Sequence, residues 1–147
     1  MKKIISRNLE ETRQVARKLL DFLRCQEQEF KRGATVVCLE GDLGAGKTAL
    51  VKVIAQELGI QETITSPTFV IQKKYRLENQ VWESLIHIDA YRLGSGADLE
   101  ILGFGKLLEE NNLICIEWTN RVEEILPKNA QRVGCGFIDE NTRSYEW

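Results

Sequence analysis

Thr35-Val36-Val37-Cys38-Leu39 is an apolar, β-branched run, the pattern of a strand buried on both faces. Downstream, Leu50, Ile54 and Leu58 recur at spacing four with Val51 and Ala55 beside them, and Gly59 stands where a helix ends. Strand, loop and helix are therefore predicted across 35–59. Upstream, Asn8 and Glu11 have capping-box spacing, and Thr12, Val15, Ala16, Leu19, Phe22 and Leu23 recur at helical period, which predicts an amphipathic helix running to Leu23.

Past Gly59, Phe69, Ile71, Lys73, Tyr75 and Leu77 alternate with Val70, Gln72, Lys74 and Arg76. Glu78-Asn79-Gln80 reads as a turn into a second strand over 81–89, and the two segments are predicted to pair as an antiparallel hairpin. After Gly94-Ser95-Gly96, Leu99, Leu102, Leu107 and Leu108 give a helical apolar face that Gly103-Phe104-Gly105 is expected to break in two. Leu113-Ile114-Cys115-Ile116 is a second buried-strand run, ending in Glu117-Trp118. Val122, Ile125 and Leu126 predict a short helix with Pro127 at its end, and Gln131 to Phe137 and Arg143 to Trp147 flank Asp139 to Thr142 as a terminal hairpin. The expected fold is α/β: a single domain over 1–147, with a mixed sheet, parallel at its core and antiparallel at its margins, flanked by helices on both faces.

The loop between the first strand and its helix carries the chemistry. Gly41-Asp42-Leu43-Gly44-Ala45-Gly46-Lys47-Thr48 is a complete G-x-x-x-x-G-K-[ST] phosphate loop, so the expected α/β fold is a single P-loop NTPase domain. Its glycines let backbone N–H groups turn toward phosphate oxygens, Lys47 offers an ammonium to the outer phosphates, and the Thr48 hydroxyl can ligate Mg²⁺. A nucleoside triphosphate with Mg²⁺ also needs an acidic residue at a neighbouring strand end. Two fit. Glu117 closes a run of four apolar residues and is the better match; Asp89 closes Leu85-Ile86-His87-Ile88, where His87 interrupts the apolar pattern. His87 and Asp89 share one strand face, and Asp89 is suited to orienting a water or holding Mg²⁺ through one. His87, the sole histidine, reads as a hydrogen-bonded strand residue; a general-base role has no nucleophile to serve. Thr65, Ser66 and Thr68 crowd hydroxyls around Pro67, where either an ordinary turn or a switch-like loop sensing the γ-phosphate fits. Trp118 stands near the nucleotide if Glu117 does.

Length and charge narrow the class. A chain of 147 residues with 43% hydrophobic content suits one ordinary domain. A net charge of −2 gives no basic face for capturing RNA by phosphate neutralisation. No apolar stretch approaches the roughly 20 residues of a membrane span, so a soluble, unexported protein is expected. Cys25, Cys38, Cys115 and Cys135 form no C-x-x-C pair and are expected to serve as small hydrophobes.

Taken together, GDLGAGKT at 41–48, SPTF at 66–69, HIDAYRL at 87–93 and IEW at 116–118 resemble the TsaE family, the small bacterial P-loop ATPases of tRNA threonylcarbamoyladenosine synthesis. The four motifs occur in the family's order, and the resemblance runs over nearly the whole chain. It implies a cytoplasmic, weak, Mg²⁺-dependent ATPase that does not itself modify adenosine 37 of ANN-decoding tRNAs. That transfer belongs to TsaD, paired with TsaB, so tRNA is met only through the complex. By the same resemblance, Leu43 to Thr48 hold the phosphates, Thr48 and Glu117 ligate Mg²⁺, Asp89 assists hydrolysis, and Ser66 and Thr68 belong to the switch-like loop. Thr12 and the Asn141-Thr142-Arg143 turn are assigned to the base or ribose. Two other classes share the loop: a small-molecule kinase, against which the scattered Arg92, Arg121, Arg132 and Arg143 and the lack of a lid-length insertion count, and a nucleotide-gated binding module with little hydrolysis.

Overall fold

A computed structural model describes residues 2–29, 33–65 and 71–147. Seven strands, β1 (Lys3–Ser6), β2 (Thr35–Glu40), β3 (Gln72–Arg76), β4 (Ser84–Asp89), β5 (Asn112–Glu117), β6 (Gln131–Asp139) and β7 (Thr142–Glu146), form one sheet in the order β1-β7-β6-β2-β5-β4-β3. β2 runs parallel to both β5 and β6, and β5 runs parallel to β4; the outer pairs β3/β4, β6/β7 and β1/β7 are antiparallel. The chain is thus α/β with a parallel centre and antiparallel margins.

Helices α1 (Leu9–Glu29) and α2 (Lys47–Glu57) pack on each other against one face of the sheet. Val37 and Leu39 of β2 join Leu19, Leu23, Leu50 and Ile54 there. The alternate residues Val36 and Cys38, with Ile86, Ile88, Ile114 and Ile116, pack on the other face against Leu99, Phe104 and Val122. Leu99 lies in α3 (Gly96–Ile101) and Phe104 in α4 (Phe104–Glu109), and Gly103, at φ 88, separates these two helices as its left-handed conformation requires. Cys38, Cys115 and Cys135 are buried, and burial pushes each thiol up to about 12, leaving them inert as nucleophiles; Cys25 is exposed. Among the described residues no helix is long and apolar enough to cross a membrane.

Several expectations are corrected. Helix α1 continues past Leu23 to Glu29, and its buried stripe includes Leu20, whereas Phe22 is 38% exposed. At its start Asn8 Oδ1 accepts from Glu11 N at 2.8 Å, but the Glu11 carboxylate accepts from Arg7 N at 2.6 Å, one residue upstream of the usual capping-box partner. In the Leu-rich stretch Phe104 is the buried anchor, and Leu102 is 39% exposed. The hairpin's second strand begins at Ser84 and not at Val81, because Trp82 turns inward and its Nε1–H donates to Thr35 Oγ1 at 2.9 Å. The apolar triad near Pro127 forms 3-10 turns at Thr119–Arg121 and Glu123–Ile125, too short for an α-helix. The terminal turn narrows to Glu140-Asn141 as β6 extends to Asp139. Strand β1, which the sequence pattern does not predict, is an edge paired with β7.

Candidate functional site

The carboxyl ends of β2, β5 and β4 lie side by side, and ligands of parallel α/β sheets collect at such an edge. The loop 41–46 leaves β2 here and delivers the chain into α2. Gly46, at φ 99, precedes the helix with no side-chain cap, and no acidic residue stands in the first turn. The first amides of α2 are therefore aimed outward without an internal acceptor, as an anion site needs. Two glycines are sterically required. A Cβ on Gly41 would lie 2.2 Å from the Cys135 carbonyl oxygen, and one on Gly46 would lie 2.8 Å from the Tyr145 hydroxyl.

Beside this loop is a cleft of about 510 Å³ lined by residues 43–49, Asp89, Tyr91, Glu117 and Trp118. That volume is in the range of small-ligand sites. Lys47 is almost fully buried, and its ammonium donates to the carbonyls of Gly41 at 2.5 Å and Asp42 at 2.9 Å while resting 4.2 Å from the centroid of the Trp118 ring. Trp118 takes a left-handed conformation at φ 60, which costs about 1 kcal/mol for a residue with a side chain. Its ring lies 5.1 Å from that of Tyr91. Arg121 sits above Tyr91 at 5.5 Å, so aromatic and cationic groups stack along one wall.

Two acids line the same cleft. Asp89 and Glu117 are register partners on β4 and β5 and both are buried, so two carboxyl groups sit on the same face of adjacent strand ends. Thr48 Oγ1 donates to Glu117 Oε1 at 2.8 Å and lies 3.1 Å from Oε2. Asp89 Oδ1 accepts from Tyr91 N at 3.0 Å, which fixes the chain as it leaves β4. This oxygen-only donor set of one hydroxyl and two neighbouring carboxyls suits a hard divalent cation. No cluster of three or more His, Cys, Asp or Glu among the described residues could hold a metal alone, and Mg²⁺ characteristically takes its remaining ligands from phosphate and water.

The cleft thus gathers Leu43, Gly44, Ala45, Gly46, Lys47, Thr48, Asp89, Glu117 and Trp118. Gly41 and Asp42 line a neighbouring depression on the far side of Trp118 and meet Lys47 through their carbonyls. Thr12 and Arg143 do not line the cleft. The Thr12 hydroxyl is shared with Ser6 Oγ at 2.7 Å and the Asn8 carbonyl. The side-chain carbons of Arg143 flank Gly46, and its guanidinium covers Phe137 at 4.7 Å. Ser66 and Thr68 lie outside the described residues. Arg132 is committed to Glu40, at 2.7 Å, and to Glu123, and these partners raise its pKa further.

Three contacts at the site are not assigned by the sequence, although His87 is, as expected, a hydrogen-bonded strand residue. Tyr91 follows Asp89 by two residues and reaches the cleft because the chain turns at the strand end. Tyr145 donates to the Gly46 carbonyl at 3.4 Å, and burial pushes its phenol up to about 12, so it remains a protonated donor behind the loop. His87 contacts Glu117 across two strands. Motif order points toward Tyr91, whereas the other two contacts depend on strand adjacency.

Trp118 provides a direct optical test of this geometry. With Trp82 and Trp147 replaced by Phe, titration with ADP should change Trp118 emission and saturate with binding, because its ring touches the Lys47 ammonium. A flat signal at saturating ADP, with binding confirmed by calorimetry, would remove Trp118 from the ligand's surroundings.

Comparison with known proteins identifies relatives of nearly the whole chain. The family model "Threonylcarbamoyl adenosine biosynthesis protein TsaE" matches residues 6–145. A protein of that name from Rickettsia felis is 35% identical over 141 residues, covering 95% of this chain and 75% of the relative. Its Bacillus subtilis namesake is 38% identical over 104 residues, covering 71% of this chain; the match spans a little under two thirds, 63%, of that relative's length. The crystal structure of Bacillus subtilis YdiB superposes with a TM-score of 0.71 at 30% identity, covering 98% of this chain and 82% of that one. Since the family model spans residues 6–145, nearly the whole chain, the chain belongs to the TsaE family.

Proposed function

We propose that this chain binds ATP with Mg²⁺ and hydrolyses it weakly, as an accessory subunit of tRNA N6-threonylcarbamoyladenosine biosynthesis at position 37 that supports repeated turnover of a TsaB–TsaD pair. The observation that carries this reading is the convergence of Lys47, Thr48, Asp89 and Glu117 on one cleft at the mouth of the loop 43–46. Family membership supports the pathway, and the geometry supports the chemistry.

The loop amides and the start of α2 receive the phosphates. Lys47 exchanges its two carbonyl partners for outer phosphate oxygens, a short movement because its ammonium already lies beside the loop. Thr48 Oγ1 and Glu117 would hold Mg²⁺, which would offset the charge of the phosphates. Asp89, buried beside Glu117, orients the attacking water and accepts its proton. Tyr91 and Trp118 wall off bulk water. Thr12 and Arg143, the latter flanking Gly46, are assigned to the nucleoside end, and Ser66 and Thr68 to a segment responding to the γ-phosphate. A net charge of −2 fits a cytoplasmic subunit that leaves tRNA to its partners.

The test is reconstitution. Alone, the protein should modify no tRNA. With TsaB, TsaD, threonylcarbamoyl-adenylate, ATP and an ANN-decoding tRNA, it should carry product beyond one turnover per TsaD, and replacing ATP with a non-hydrolysable analogue should remove that gain. Product unchanged by this protein, with active partners from the same organism, sinks the assignment.

A further inference from the structure

We propose that His87 is a positioning residue for Glu117, its Nε2–H clamping Oε2 so that Oε1 is presented to Thr48 and to the phosphate-borne cation. The assignment rests on the reading of the cleft as a Mg²⁺–nucleotide site. His87 is fully buried on β4, and its register partner is Cys115, two residues before Glu117 on β5. The imidazole therefore lies one step below the strand ends. It does not line the cleft and cannot reach a ligand there itself.

Nε2 lies 2.5 Å from Glu117 Oε2, while the buried Nδ1 has no hydrogen-bond partner among the described residues. The hydrogen arrangement follows from that asymmetry. A proton on Nδ1 alone would set a nitrogen lone pair against a carboxylate oxygen and bury an N–H with no acceptor; a proton on Nε2 satisfies the carboxylate and leaves only a lone pair unmet. Thr48 Oγ1 is nearer Oε1, at 2.8 Å, than Oε2, at 3.1 Å, so the two donors divide the carboxylate between them.

The need for a clamp follows from the acid itself. Glutamate has one more rotatable bond than aspartate, so a ligating glutamate at a strand end requires an outer partner to choose its rotamer. The neighbouring strand supplies it. Because β4 and β5 are parallel and in register, a histidine two residues before Asp89 is carried under Glu117 by the sheet alone.

Metal affinity measured apart from turnover tests the role. Mn²⁺ serves as the probe, with free Mn²⁺ followed by electron paramagnetic resonance in the presence of ADP, on the untagged protein. Glutamine places an amide N–H where Nε2 stands, and asparagine is one bond too short. His87→Asn should weaken Mn²⁺ binding on the order of 10-fold or more and His87→Gln should restore it to within about threefold of the parent. ADP affinity in EDTA should stay within about twofold for all three proteins, because His87 touches no part of the phosphate loop. Parent-like Mn²⁺ binding by His87→Asn, equal losses in both variants, or a matching loss of ADP affinity in EDTA overturns the assignment. A parent protein whose ADP affinity ignores Mn²⁺ overturns instead the reading of the cleft.

A second measurement needs no variant. His87 is the sole histidine, so nitrogen NMR of the labelled parent reports one ring without ambiguity. The ring should carry its proton on Nε2; a ring protonated at Nδ1 alone overturns the proposal.

Discussion

Lys47→Ala should abolish ATP turnover, with a fall on the order of 10²-fold or more, while leaving the protein folded. The two halves of that expectation have separate causes. Among the described residues the ammonium is the one cation seated within the loop, held between the Gly41 and Asp42 carbonyls and the Trp118 ring. Alanine removes it from the position where charge builds on the outer phosphates. Stability is less affected, because Asp42 is exposed and water can replace the ammonium at its carbonyl; the loss should be about 1 kcal/mol, the net worth of an ordinary hydrogen bond. A steady-state ATPase assay beside a thermal melt separates the effects. Parent-rate hydrolysis by a folded Lys47→Ala protein would show that the loop 41–48 is not the phosphate site.

What the sequence makes legible here is local, and what it hides is pairing between distant segments. Val36 to Leu39 and Leu113 to Ile116 announce a parallel core because both strand faces are covered and no polar residue is tolerated. The octapeptide 41–48 is legible for a related reason: its steric and chemical demands fall within eight consecutive residues. Strand β1 is invisible because four edge residues are too few for a periodic signal, and its partner β7 lies at the other end of the chain. Phe22 misleads since helical spacing places it near the apolar stripe while Leu20 fills the space against the sheet. The Tyr145–Gly46 contact joins residues 99 apart in sequence and has no local signature. His87 is an intermediate case. Its phase with Asp89 is written in the sequence, but its partner is on β5, and α3 and α4 intervene between the two strands.

The same strand pairing sets the second large effect, which separates two carboxyl groups that the sequence ranks only by the apolar run before each. Glu117 accepts from Thr48 and His87, so its oxygens are already held where a hydroxyl ligand of Mg²⁺ stands; Asp89 Oδ1 is tied to the Tyr91 amide at the cleft's edge. Losing a metal ligand should change the demand for metal, whereas losing a water-orienting group should change the rate. Glu117→Gln, which retains one acceptor oxygen and avoids burying an unpaired imidazole, should raise the Mg²⁺ concentration for half-maximal turnover at least about 10-fold. Asp89→Asn keeps an acceptor for Tyr91 N but cannot take a proton. It should lower turnover by roughly 10²- to 10⁴-fold and leave Mg²⁺–nucleotide affinity within about twofold. Magnesium titrations of both variants, read by turnover and by calorimetric binding of Mg–ADP, distinguish the roles. Should Asp89→Asn shift the metal requirement and Glu117→Gln slow hydrolysis at unchanged metal affinity, the assignments exchange, and the clamp from His87 would then act on the hydrolytic acid and not on the metal ligand.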